Sequence, residues 1–358
     1  RAVNIPVITV GRYTEPQFAE LMVKEGRADL VAFGRQSLAD PAMPKKAQEE
    51  RLEDMTPCIA CLQGCVANMY AGNPVCCLTN PFLGHEAEPL EKAEEPKKVM
   101  VIGGGVAGLS AAFIAKERGH EVTLYEAGDV LGGNMRLAAY PPGKGDITNM
   151  IRSYIHRCQK DGVKIVMNCE VTPELIKEEK PDSVIIATGS KTLILPIEGI
   201  DNPAIIHGSD LLDGKRAAGK KVLVVGGGMV GCETAAFLGE QEHDVTVIEF
   251  RDTVGADVIH EHRVYLMKDF EDYGIKEITG AKVCKFYEDG VEYETADGVR
   301  HESRGYDSVI LSMGFRNYNP LEEKIKDLVP ETHVIGDAIR ARRALDATKE
   351  AYEVASRI

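Results

Sequence analysis

The sequence lacks an excess of positive charge: 42 Lys and Arg stand against 56 Asp and Glu, a formal net charge of -14. Nucleic acids and anionic membranes require a basic face, so neither is an expected partner. No apolar run approaches the ~20 residues of a membrane span. The N-terminus, Arg1 to Val10, carries neither an initiator Met nor a secretory pattern and reads like the middle of a domain. The expectation is a fragment, a processed chain or one piece of a larger polypeptide. Cysteine usage does not fit a disulfide framework either. The count of nine is odd, and four thiols sit in a ligand-like group. A reducing, cytoplasmic compartment is expected, with Cys158, Cys169, Cys232 and Cys284 as core thiols.

The remainder is ordinary for a globular protein: 358 residues, 44% hydrophobic and 27% charged. At ~150 residues per domain the length allows two to three domains.

Cys58, Cys61, Cys65 and Cys77 follow one another at x2, x3 and x11 spacing. Four thiolates so placed can cage one inorganic centre. The spacing lacks the two-plus-two symmetry of common structural zinc sites, yet thiolates suit both zinc and iron–sulfur. Cys76, beside Cys77, competes for the fourth position by count alone.

Residues 1–50 read strand, helix, strand, helix. Ile5 to Val10 forms a short apolar strand and Gly11-Arg12 follows it. Thr14 to Gly26 reads as a helix, with a capping Thr, an early Pro and a final Gly. Asp29 to Phe33 reads as a second, buried strand that ends in Gly34-Arg35. Two successive β-α units imply a parallel sheet. Glycine with arginine after two such strands suits a phosphate at the carboxyl end of a barrel; turn residues are the plainer reading. Lys45 to Arg51 is polar and helical, and 83–97 is a charged, Pro-bearing linker.

An internal repeat follows. Val99-Met-Val-Ile-Gly-Gly-Gly-Val-Ala-Gly108 leads to His120–Glu126. At an offset of 123, Val222-Leu-Val-Val-Gly-Gly-Gly-Met-Val-Gly231 leads to His243–Glu249 without a gap. Gly103 and Gly226 serve the tight turn. Gly105 and Gly228 let a pyrophosphate approach the backbone, and Gly108 and Gly231 let helix and strand pack closely. Glu126 and Glu249 are placed to accept from ribose hydroxyls. Two complete copies with the acid in register are strong evidence for two dinucleotide sites. Gly132-Gly133 follows the first copy, and Gly336-Asp337 near the end would bring a carboxylate to a flavin's ribityl chain. The second copy lies between these segments, so one domain is nested in the other. Residues 280–300 alternate like hairpin strands around Asp297-Gly298. A carboxylate at Glu249 repels a 2′-phosphate, which favours NADH over NADPH, although Arg251 softens that repulsion.

Together these motifs resemble the C-terminal portion of the Old Yellow Enzyme-like iron–sulfur flavoenzymes. That group includes bacterial 2,4-dienoyl-CoA reductase, 2-enoate reductases and trimethylamine dehydrogenase. The resemblance spans essentially the whole chain. It implies FMN phosphate loops at Gly11, Arg12, Gly34 and Arg35. It implies 4Fe–4S ligands at Cys58, Cys61, Cys65 and Cys77, with Asn80-Pro81 following as in the family. FAD falls to Gly103, Gly105, Gly108, Glu126, Gly132, Gly133, Gly336 and Asp337, and the nicotinamide cofactor to Gly226, Gly228, Gly231, Glu233 and Glu249.

The implied α/β architecture has the last two β-α units of a TIM barrel at 1–50 and a cluster segment with linker at 51–96. A discontinuous FAD domain takes 97–194 plus 318–358, and a nicotinamide domain takes 195–317. Six barrel units of the ~250-residue fold are absent, and with them the substrate pocket and any proton donor. Enoates, enones and dienoyl-CoA thioesters are thus all compatible substrates, the rest of the barrel is an expected partner, and a homo-oligomer is compatible.

The implied activity is that of an NAD(P)H:flavin oxidoreductase: NADH to FAD, then the cluster, then FMN, then an activated C=C bond. The cysteine spacing is similar to that of the reductases. An amine or demethylating dehydrogenase, and an electron-transfer subunit without its own substrate site, are the alternatives. A thiol–disulfide reductase would need a cysteine pair facing the flavin, and residues 132–143 contain none.

Overall fold

The computed structural model describes residues 3–358, so the first two residues of the segment 1–50 lie outside it. The chain divides into two compact units. One takes the residues up to Arg136 with Asp146–Gly189 and Tyr318–Ile358; the other takes Leu137–Gly145 and Ser190–Asn317.

The first unit is built on a five-stranded parallel sheet. Its order is Glu331–Val334, Ser183–Ile186, Lys98–Ile102, Glu121–Tyr125, Lys164–Val166. Near-continuous apolar strands such as Val99 to Ile102 are what a parallel sheet covered on both faces demands, and these side chains are buried. Met100, Ile102, Val184 and Ile186 pack with Ile176, Leu321 and Ile325. The helix Val106–Glu117 is buried from Val106 through Ala115, and the helix Ala344–Ala355 packs against it. The helix Asp146–Lys160 is amphipathic and buries Ile147, Met150, Ile151, Tyr154 and Cys158 at helical spacing.

Within the same unit, Ile8–Val10 and Leu30–Ala32 form a two-stranded parallel sheet. The helix Pro16–Lys24 joins them. Its N-cap is Glu15 without a side-chain bond, so the expected Thr14 cap is absent and Pro16, which presets φ, opens the first turn. The expectation of a buried second strand also fails. Leu30 is 57% exposed, like Ile8 and Val10, because two strands cannot cover their own faces. The helices Arg35–Ala39 and Met43–Gln48 and the turn Leu52–Asp54 lead into the cysteine loop. The charged stretch 83–97 lies inside this unit.

The second unit repeats the plan. Its parallel sheet runs Lys276–Ile278, Asp244–Ile248, Lys221–Val225, Ser308–Leu311, Ile206–His207. Val222, Val224, Val247 and Ile310 pack with Cys232, Ala235 and Ala236 of the helix Met229–Glu240. The expected hairpin at 280–300 is a three-stranded antiparallel sheet, Lys282–Tyr287, Gly290–Glu294 and Arg300–Ser303. Asp297-Gly298 turns between the last two strands, with Gly298 at φ +79. Of the four expected core thiols, Cys158 and Cys232 are buried, whereas Cys169 and Cys284 are only partly covered. Among the described residues no helix is long and apolar enough to cross a membrane.

Candidate functional site

Cys58, Cys61, Cys65, Cys76 and Cys77 line one cavity, together with Arg35, Leu38, Ile59, Leu78 and Thr79. The four predicted ligands are thus brought together, and Cys76 is beside them. The loop reaches this arrangement through two left-handed residues, Ala60 at φ +52 and Leu62 at φ +57, which flank Cys61. Non-glycine residues seldom adopt that conformation, so the surroundings must hold it. Gly64 is required by space: a Cβ there would lie 2.5 Å from the carbonyl oxygen of Cys76. Burial pushes the Cys61 thiol up to about 12 and raises Cys58 and Cys76 as well. The Arg35 guanidinium acts in the opposite direction on Cys58.

Residues outside any motif hold the loop in place. Buried Gln36 donates from Nε2 to the Thr56 carbonyl at 2.9 Å and accepts the Cys58 N–H at 2.8 Å. Buried Asp40 accepts the Thr56 N–H at 2.9 Å and pairs with Lys46 at 2.7 Å. Asn80 Nδ2 donates to the Leu38 carbonyl at 2.9 Å, and fully buried Tyr154 donates its hydroxyl to the Leu78 carbonyl at 3.1 Å. Asn68 Nδ2 approaches the Cys76 Sγ at 3.4 Å. Upstream, Asp54 receives Lys160, His156 at 3.0 Å and Arg51 at 2.8 Å, which ties the loop's entry to the helix Asp146–Lys160. These partners hold the Asp54 carboxyl well below the usual carboxylate range, Lys160 most strongly.

The predicted flavin residues converge in the first unit. Gly103 sits at φ +109, and a Cβ on it would lie 2.4 Å from the Ala187 carbonyl oxygen. On Gly108 a Cβ would lie 1.9 Å from the Gly103 carbonyl oxygen, whereas on Gly105 it would meet nothing within 4 Å. The loop is thus closed where helix meets strand and open where a pyrophosphate needs the backbone. Glu126 Oε2 accepts the Gly104 N–H and Oε1 the Gly128 N–H, both at 2.7 Å. Gly132 donates its N–H to the Gly104 carbonyl at 2.8 Å, and a Cβ on Gly133 would lie 3.2 Å from the Gly105 Cα. Gly336, at φ +64, packs so closely on Ala107 that a Cβ on it would lie 3.1 Å from the Ala107 Cβ, which puts Asp337 beside the start of the same helix. The Asp337 carboxylate accepts the Arg342 N–H at 3.0 Å.

The second unit reproduces this geometry at the 123-residue offset. Gly226 is at φ +105 against the Ser312 carbonyl, and a Cβ on Gly231 would lie 1.8 Å from the Gly226 oxygen. Gly228 is less open than Gly105, since the Asp257 carboxylate lies 3.5 Å from its would-be Cβ. Glu249 accepts the Gly227 N–H at 2.5 Å and the Arg251 N–H at 2.9 Å. Gly255, which no motif had marked, donates to the Gly227 carbonyl at 2.7 Å as Gly132 does to Gly104. Glu233 is 8% exposed and pairs with Lys144, a partner that sequence spacing gave no means of finding.

The predicted phosphate residues are less closely grouped. Gly11 and Gly34 have open space where a side chain would be. Arg12, at φ +53, pairs with Asp146, and Arg35 lines the cysteine cavity instead of a separate pocket.

Comparison with known proteins adds the following. The model of the family described as Pyridine nucleotide-disulphide oxidoreductase matches residues 97–333, and that of the NADH:flavin oxidoreductase / NADH oxidase family matches residues 1–54. The chain is 37% identical to an NADH oxidase of Thermoanaerobacter brockii, over 100% of its own length and 56% of the relative's. It is 34% identical to a cinnamate reductase of Clostridium sporogenes, over 100% of its length and 54% of the relative's. A solved 2-naphthoyl-CoA reductase complex superposes with a TM-score of 0.95 at 34% identity, covering 100% of this chain and 55% of that one. The chain therefore spans little more than half the length of these relatives.

Proposed function

The chain belongs to the pyridine nucleotide-disulphide oxidoreductase family and also matches the NADH:flavin oxidoreductase / NADH oxidase family at its start, and we propose that it is the electron-entry half of an NADH-dependent iron–sulfur flavoenzyme that reduces activated C=C bonds. The observation that carries this reading is the shared cavity of Cys58, Cys61, Cys65 and Cys77 in a chain with two separate dinucleotide loops. Among the described residues no three His, Cys, Asp or Glu groups are drawn close enough for a single metal ion. Four thiols on the wall of one cavity are the donor chemistry that a thiolate-held inorganic centre requires.

Bound to these residues, NADH, FAD, a 4Fe–4S cluster and FMN would supply hydride and single-electron chemistry to an enoate, enone or enoyl-CoA thioester. The chain itself supplies placement. Gly105 leaves backbone open to a pyrophosphate, Glu126 and Glu249 offer carboxylates to ribose hydroxyls, and Asp337 stands beside the flavin helix. Glu249 disfavours a 2′-phosphate, hence NADH over NADPH. The partly buried thiols would have to give up their protons to hold a cluster. Gly11, Arg12, Gly34 and Arg35 are offered to the FMN phosphate. The exposed apolar side chains of Ile8, Val10 and Leu30 support the reading of 1–50 as barrel units, because further parallel strands would cover them. The domain limits at 51–96, 97–194 plus 318–358 and 195–317 belong to the same proposal.

Anaerobic purification with iron, sulfide and flavin analysis, followed by NADH titration watched by absorbance and electron paramagnetic resonance, tests it. About four irons per chain, bound FAD and a reduced-cluster signal are expected. Zinc in place of iron, or a flavin left oxidised by NADH, would overturn it.

A further inference from the structure

The two dinucleotide loops share a backbone but not a neighbour. Gly105 and Gly228 both stand at φ -72, and each opens a 12-residue helix, Val106–Glu117 and Met229–Glu240. At the first helix a Cβ on Gly105 would meet nothing within 4 Å. At the second, Asp257 Oδ1 accepts the Met229 N–H at 2.9 Å. Its two carboxylate oxygens lie 3.5 and 3.6 Å from a would-be Cβ on Gly228. The 123-residue register holds through this segment, since Gly255 donates to Gly227 as Gly132 does to Gly104. In that register Asp257 corresponds to Asn134. A carboxylate in the second copy thus stands where the flavin copy has an uncharged amide.

We propose that Asp257 is an internal competitor for the pyrophosphate seat of the second loop and sets how loosely the nicotinamide cofactor is held. The inference rests on the reading of this loop as the nicotinamide site and adds the residue that tunes it. A pyrophosphate binds through the N–H groups at the start of the helix. The Met229 N–H already has an acceptor there, and a carboxylate beside two phosphates repels them. The cofactor must therefore push the Asp257 side chain aside. That motion is local: Asp257 is exposed, whereas Val254 and Gly255 just before it are buried and Gly255 is bonded to Gly227. A nicotinamide cofactor leaves after each hydride transfer, while a bound flavin stays between turnovers. One loop design, with the carboxylate and without it, meets both demands. As a helix cap alone, Asp257 would add stability and leave cofactor affinity untouched.

The test is calorimetric titration of the whole chain with NAD+, which carries the pyrophosphate and does not reduce the flavin. The wild type, Asp257→Asn and Asp257→Ala are compared. Each variant should bind about tenfold more tightly at low ionic strength, and added salt should shrink the difference by screening the charge. Equal or weaker binding in both variants, beside a wild type that binds, overturns the role of Asp257 and leaves the nicotinamide site standing. Tightening in the Ala variant alone also overturns it, since bulk and not charge would then be responsible. Should the Ala variant fail to fold, the Asn variant, which can still accept the Met229 N–H, decides by the same criterion. Absence of NAD+ binding in the wild type and both variants would remove the nicotinamide reading itself, and the role of Asp257 with it.

Discussion

Gln36 and Cys58 are joined across 22 positions by a 2.8 Å hydrogen bond from the Cys58 N–H to the Gln36 side chain. The other end of the same amide holds Thr56 at 2.9 Å, so one buried side chain fixes the backbone on both sides of Pro57. Gln36→Leu leaves a carbonyl and an N–H without partners, at about 1–3 kcal/mol for each buried group. We expect a lower melting temperature and reduced iron per chain. Unchanged iron content in a folded Leu variant would show that the loop holds its thiols without this clamp.

The glycine loop separates packing from ligand binding. Gly108→Ala would place a methyl 1.9 Å from the Gly103 oxygen and should destabilise the unit by at least about 1–3 kcal/mol. Gly105→Ala meets no neighbour at φ -72, so the flavin-free chain should melt like the wild type while flavin retention falls. Full flavin occupancy in the Gly105→Ala chain would exclude a pyrophosphate at that loop.

Glu249 has its two oxygens fixed by the Gly227 and Arg251 amides. Glu249→Ala should weaken NADH about tenfold, or ~1.4 kcal/mol, and narrow the preference over NADPH. Steady-state flavin reduction with each cofactor reads both effects. An unchanged cofactor ratio would move specificity to another residue.

Acid stability should depend on Asp54. Its folded pKa is depressed, first by Lys160 and then by His156 and Arg51, so its contribution is present above the unfolded value of ~3.9 and lost as pH falls through the folded one. Asp54→Asn should therefore be less stable than the wild type at pH 7, by about 1–3 kcal/mol, with the gap narrowing as the pH drops below ~4. Urea unfolding at pH 7 and pH 3 measures this. A gap that does not change with pH would rule out the carboxylate as its source.

Both nucleotide loops were legible in the chain because their chemistry is local. A tight turn, an open backbone position and a close helix need glycine at set intervals, and a terminal Glu follows at the end of the next strand. The cysteine group was equally visible, since its ligands are few and near in sequence. The strand Leu30–Ala32 is less buried than its apolar content predicts, because that content states what a strand requires and not whether other elements are present to cover it. At 280–300 the structure has one strand more than a hairpin around Asp297-Gly298, and the sequence does mark the extra turn, with Asp289-Gly290. The clamp on the cysteine loop, the Lys144–Glu233 pair and the seat of Arg35 on the cavity wall followed only from tertiary structure. Each joins residues whose spacing obeys no motif, and hydrogen bonds and charges act through space, where the chain's order leaves no mark.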